Sequence, residues 1–285
     1  MESASALKLR KGISLMAVKL PPDSPLPAGW LEEIFEKVDL ERSFMQLRGI
    51  KHFWVEAWKG YIRSQQLRFA SAWKYFDRAY EAAQEAEETI PNLVRQFILN
   101  IWCFRNALME APLANTIQDV PEAWIPELPA EILDEYPEVR RVITLRRGSE
   151  ADLRLHLGQY SDAAELYSGL IEEHRSEGDG EGLAAFYYLG LAACEYNLDF
   201  KEEALRNLEN AGLVLSMNGR NWNKINACSD LYAFYKFLAL EDEAQSWDHF
   251  LERLPCPAVT RDLYKRRSKL VLDRCLEKST LLLLS

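Results

Sequence analysis

Glycine and proline are scarce, at 13 and 12 among 285 residues. Both disfavour helix interiors, so a chain poor in them has room for long helices. Positive charge is also in deficit: 34 Lys and Arg stand against 44 Asp and Glu, for a net charge of −10. Nucleic acid and acidic membrane both need a basic surface, so neither is an expected partner. A basic or neutral partner is electrostatically easier. No stretch of about 18 apolar residues occurs, so no membrane span is expected. The opening MESASALKLRKGISLMAVKL has basic residues ahead of apolar ones, as a secretory signal would. Lys19 interrupts its apolar run, however, and a proline-rich stretch follows where a small-residue cleavage site belongs. The expected compartment is the cytoplasm.

Chemistry is missing as well. There is no G-x-S-x-G, no phosphate loop with GK[ST], and no G-x-G-x-x-G after a strand. GDGEG lacks the lysine and the preceding strand of a phosphate site. The five cysteines (Cys103, Cys194, Cys228, Cys256, Cys275) are odd in number and never at C-x-x-C spacing. They read as buried or idle thiols in a reducing compartment. His52, His156, His174 and His249 are isolated, and with the cysteines they never reach zinc-ligand spacing. The expectation is a protein without catalytic residues, metal or cofactor. Carboxylate runs such as Glu85, Glu87 and Glu88 read as solvated helix faces rather than paired acids.

What is present is a pattern. In LGQYSDAAELYSGLIEE, Gly158 and Tyr160 close one helix, and Ala163, Tyr167 and Leu170 recur at helical spacing in the next. A small residue flanked by large ones marks a close helix crossing. The order returns as Phe69, Ala72, Phe76, Ala79, then as Phe200, Ala204, Leu208, Ala211, and more loosely as Leu240, Ala244, Trp247, Leu251. Ala163 to Ala204 is 41 residues, Ala204 to Ala244 is 40, and Ala72 to Ala163 is 91, about two periods. Such a repeat points to stacked helix pairs.

These residues resemble the tetratricopeptide repeat family. The family's small residue matches Ala72, Ala163, Ala204 and Ala244. Its turn aromatic matches Phe69, Tyr160 and, one place out, Phe200. Its Leu-Gly pair is present as Leu189-Gly190 and in part as Lys59-Gly60. Ala151 stands where the second copy should have Gly, and the fourth copy lacks both Gly and turn aromatic. The period near 40 exceeds the family's usual 34. The resemblance implies an all-α, right-handed superhelical solenoid of about five helix pairs, closed by a C-terminal capping helix.

Along the chain, residues 1–29 read as an extended arm ending in PPDSPLPAG, since four prolines there forbid helix. Residues 30–255 form the repeat domain. A short helix starts at Trp30, and a longer one through Phe44, Leu47, Ile50, Phe53 and Trp54 runs to about Gln66. Leu93–Glu110 reads as a strongly apolar buried helix. Residues 112–137 carry five prolines and read as an irregular insertion, either a degenerate repeat or a functional loop. Asp199 and Glu202 have capping-box spacing for the next helix, and Asn218-Gly219 a helix-stop signal. Residues 256–285 form the cap, with Leu263, Tyr264, Leu270, Val271, Cys275 and Leu282 on one face and a sticky LLLL at 281–284. The basic run Lys265–Lys269 spreads around its helix, as a patch complementing the acidic body would.

In the resembled family the first helices of the pairs line a concave groove that holds partner peptides. Aligning on Gly60, Gly190 and Tyr232 places Trp54, Trp58, Tyr61 and Gln65 there from the first hairpin. Tyr187 comes from the third, and Asn226, Ser229 and Lys236 from the fourth. Aromatics supply contact area, and Asn bonds both ways to an extended backbone. The function implied is a scaffold or adaptor binding a peptide or helix of another protein. The alternatives are a regulator that senses a short peptide, and an enzyme with a site near 112–137.

Overall fold

A computed structural model describes residues 51–65, 68–84, 90–114, 140–177, 182–217, 221–254, 256 and 258–276. Ten helices and no strand occur among the described residues. They are α1 (Lys51–Gln65), α2 (Phe69–Gln84), α3 (Ile90–Ala114), α4 (Arg140–Leu157), α5 (Tyr160–Glu177), α6 (Ala184–Asn197), α7 (Lys201–Met217), α8 (Asn221–Phe237), α9 (Glu241–Arg253) and α10 (Ala258–Leu276). The all-α expectation therefore holds, and the helices pack in neighbouring pairs. Of the insertion read at 112–137, residues 112–114 instead end α3, since the helix runs on to Ala114. The remainder, the extended arm, the helix from Trp30, residues 178–181 of GDGEG, Asn218-Gly219 and the LLLL end lie outside the described residues.

The chain divides into two compact units, with the boundary between Ser149 and Glu150 inside α4. The first unit holds α1, α2, α3 and the start of α4. Pro91 sits in the first turn of α3, where its missing N–H costs no hydrogen bond. The second unit holds the rest of α4 and α5 through α10.

One turn recurs four times. Arg68 N donates to Arg63 O over 2.8 Å, and Arg68 O accepts from Ala72 N over 2.9 Å. Gln159 does the same between Arg154 and Ala163, at 2.9 and 3.0 Å. Phe200 joins Glu195 to Ala204 at 2.8 and 3.0 Å, and Leu240 joins Tyr235 to Ala244 at 2.9 and 3.1 Å. A bond reaching five residues back closes a helix through a left-handed residue, and the next carbonyl opens the following helix. In the last three turns that residue is Gly158 (φ 82), Asp199 (φ 68) and Ala239 (φ 58). The four alanines are at most 1% exposed, as close crossings require.

This turn corrects the capping reading of Asp199. Asp199 ends α6 in left-handed geometry, and the carbonyl that opens α7 belongs to Phe200. The Asp199 carboxylate instead pairs with Lys201 at 3.1 Å on the surface.

The glycines show a second difference. Gly60 stands 12 residues before Ala72, whereas Gly190 stands 14 before Ala204. A Cβ on Gly60 would meet the ring of Phe76 in its own hairpin, while one on Gly190 would meet Tyr167 in the preceding hairpin. The two are not equivalent positions. Aligning them shifts the third hairpin by two residues, about 200° around a helix.

Candidate functional site

The residues predicted to face a groove are placed as follows. In the first unit, the Tyr61 ring lies 5.0 Å from that of Trp102 on α3. Gln65 ends α1, and its side chain, with those of Trp54 and Trp58, lies outside the described residues. In the second unit, Tyr187 is 6% exposed, with its ring 5.3 Å from the imidazole of His174 on α5. The two-residue shift explains this: Tyr187 is turned toward α5 and packs in the core. Ser229 is fully buried and donates to Ile225 O over 2.7 Å within α8. Lys236 is exposed and bonded to Glu241 at the α8–α9 turn. As placed, Tyr187 and Ser229 are packing residues.

Asn226 is different, because it meets α10. Arg267 Nη1 donates to Asn226 Oδ1 over 2.9 Å and lies 3.8 Å from Asp230 Oδ1, one helical turn further along α8. Burial pushes the Asp230 carboxyl up, and the Arg267 charge opposes that shift. Lys265 bonds to Asp248 of α9 and lies 5.0 Å over the Tyr232 ring. Tyr264, 1% exposed, packs against Ile225 near the start of α8. Two cations of the Lys265–Lys269 run thus turn inward onto acids, while Arg266 and Lys269 face solvent. The self-complementing patch expected from the sequence is present.

Further along, α10 leaves α8 and crosses α6. Cys275 Sγ lies 3.1 Å from His156 Nδ1 near the end of α4, and Cys275 O lies 3.5 Å from the Tyr160 hydroxyl at the start of α5. Cys275 and Leu276 join the main apolar core of the unit, which includes Ala163, Tyr167, Cys194 and Ala204. The terminal helix therefore does more than close the last hairpin. It runs from α8 back across α6 to the α4–α5 turn. Its single-face reading needs one correction: Tyr264 and Cys275 are buried, but Leu270 is 45% exposed. Leu270 lies six residues from Tyr264, about 240° around the helix.

Sequence reasoning missed Asp230, Asp248, Arg267 and the His156–Cys275 contact. The signals for them were the i, i+4 pair Asn226 and Asp230 and the basic run Lys265–Lys269, whose acidic partners the spacing did not name.

The first unit holds buried polar groups of its own. Trp73 Nε1 donates to Glu110 Oε2 over 2.9 Å, and burial raises the Glu110 carboxyl while that bond opposes it. Glu56 is 3% exposed. Burial draws its carboxyl up, but Lys59 at 2.6 Å and Arg78 at 3.5 Å outweigh this and hold it low. All five cysteines are free. Burial pushes Cys103 and Cys194 well up, Cys228 to about 12 and Cys256 to about 11, so these four are poor nucleophiles near neutrality. Among the described residues, no three His, Cys, Asp or Glu side chains cluster as metal ligands, and no helix is long and apolar enough to cross a membrane.

No protein-family model, no curated protein and no solved structure matches the chain.

Proposed function

We propose that the chain is a non-catalytic interaction module, a scaffold or adaptor that holds a helix of another protein against the first helices of its pairs. In this reading the repeated hairpins belong to a right-handed, tetratricopeptide-like superhelix, and its inner curve is the binding surface. The observation that carries it is α10 itself, lying across α8, α6 and the α4–α5 turn. A surface built by successive hairpins already accommodates one helix, and modest contacts spread over several hairpins sum to a usable affinity. Asn226 belongs to this surface together with Asp230, Tyr232 and His156, and Asp248 of α9 borders it.

Affinity capture from the native cell, followed by cross-linking and mass spectrometry, tests the reading. Cross-links from the partner should fall on Lys224 and Lys236 of α8 and on Lys265 and Lys269 of α10. Enrichment of no protein over a mock capture, or cross-links confined to Lys201 on α7, would refute it.

A further inference from the structure

We infer that the seat of α10 is a helix-exchange site: it accepts a basic helix from a partner in place of α10, which is the resident competitor. This deepens the function proposed above and rests on it. The seat defines its occupant chemically. Asp230 and Asp248 receive Arg267 and Lys265, Ile225 receives an aromatic ring from Tyr264, and His156 receives the small Cys275. Over its length α10 carries six basic residues against Asp262 and Asp273. Complementary charge of this kind steers a basic helix onto an acidic body.

Several features mark α10 as replaceable rather than permanent. It buries the polar Thr260 and Ser268 beside Tyr264, Cys275 and Leu276, while presenting Val259 and Leu270 to solvent at 48% and 45% exposure. Its apolar face is thus interrupted, which leaves it more weakly held than a helix with an unbroken one. Among the described residues, Arg267 Nε and Arg274 Nη1 are buried with no hydrogen-bond partner, which weakens the fit further. The connection also allows release as a unit. Leu254 ends α9 in extended backbone (φ −73, ψ 143) immediately before Pro255, the conformation a residue ahead of proline prefers. Helices α9 and α10 are thus separate elements of the chain, and α10 can leave without unwinding α9. Leaving Asp230 without a cation is costly, so the seat favours exchange of one basic helix for another over simply standing empty.

The test uses the full chain and a fluorescein-labelled synthetic peptide of residues 258–276. In an anisotropy titration the Lys265→Ala/Arg267→Ala variant should bind the peptide about ten-fold tighter than the parent, because its own α10 competes less. A peptide with Glu at both of those positions should bind neither chain. The Asp230→Asn/Asp248→Asn variant, which keeps its own α10 sequence but loses the acids, should lose the preference for the basic peptide. Equal affinity of parent and Lys265→Ala/Arg267→Ala variant for the basic peptide, or no binding to either while circular dichroism shows both folded, overturns the inference. Light scattering showing a dimer that the peptide dissociates would make the occupant a second copy, and also overturns it. If the peptide fails but a captured partner still cross-links to α8, only the exchange falls. If the peptide exchanges but no partner is captured, the proposed function falls.

Discussion

Arg267 on α10 donates a 2.9 Å hydrogen bond to Asn226 on α8, across 41 residues of sequence. The side chain read as facing a partner therefore faces the chain's own terminal helix. Replacing Arg267 by Ala removes this charge-assisted bond and the cation beside Asp230, a loss of about 1.5–3 kcal/mol. Amide hydrogen exchange over 258–276 should accelerate markedly, while α6 and α7 exchange as in the parent. Unchanged exchange in α10 would show that the bond does not hold the helix.

The three left-handed residues at the hairpin turns differ in how well they suit the geometry. Ala239 holds φ 58 with a Cβ, whereas Gly158 holds φ 82 without one. Left-handed backbone costs a non-glycine residue about 1–2 kcal/mol, partly offset by the entropy that glycine loses on folding. Ala239→Gly should stabilise the chain by about 0.5–1 kcal/mol and Gly158→Ala should destabilise it by a similar amount. Denaturant titration of the two variants decides, and the same sign for both would exclude the shared-turn explanation.

Gly190 lies under the Tyr167 ring, whose hydroxyl donates to Asp152 over 2.7 Å. The ring is fully buried and tied at its far end, so it has little freedom to retreat. Gly190→Ala gains about 1 kcal/mol of helix propensity but overpacks the crossing by about 1–3 kcal/mol. The expected result is a lower melting temperature, with Tyr167→Phe rescuing part of the loss by freeing the ring. A stabilised Gly190→Ala would mean that the crossing is looser than described.

Glu110 gives a pH dependence with a definite sign. Its folded carboxyl lies above the ordinary 4.5, through burial that the Trp73 bond only partly offsets. A raised acid favours the fold in its neutral form, so this contribution is complete below about pH 4.5 and is lost as pH rises through the folded value. Gln keeps an acceptor for Trp73 and never charges. Glu110→Gln should therefore be more stable than the parent at pH 7, with the difference shrinking toward pH 4. Equilibrium unfolding at the two pH values measures this, and a less stable variant at pH 7 contradicts it.

The helix pairs were legible because close crossings demand small residues, and Ala72, Ala163, Ala204 and Ala244 satisfied that demand at regular spacing. Their turns share one hydrogen-bond pattern even though Gly158, Asp199 and Ala239 differ in chemistry. Backbone geometry was conserved there by the surrounding packing, so side-chain type alone misassigned Asp199. Gly190 misled in another way, since one small residue serves two kinds of crossing and sequence does not say which. The seat of α10 was hardest to read. Ser268 inside and Leu270 outside obscure its helical face, and its anchors bridge long separations, with Cys275 meeting His156 across 119 residues.

The central claim, that a partner helix replaces α10 on its seat, is tested most directly by hydrogen exchange of the full chain with and without the captured partner. Amides of 258–276 should lose protection on binding while those of α8 keep theirs, because one helix is exchanged for another over the same surface. Protection that stays unchanged in α10 while rising on α7 or α9 would contradict it.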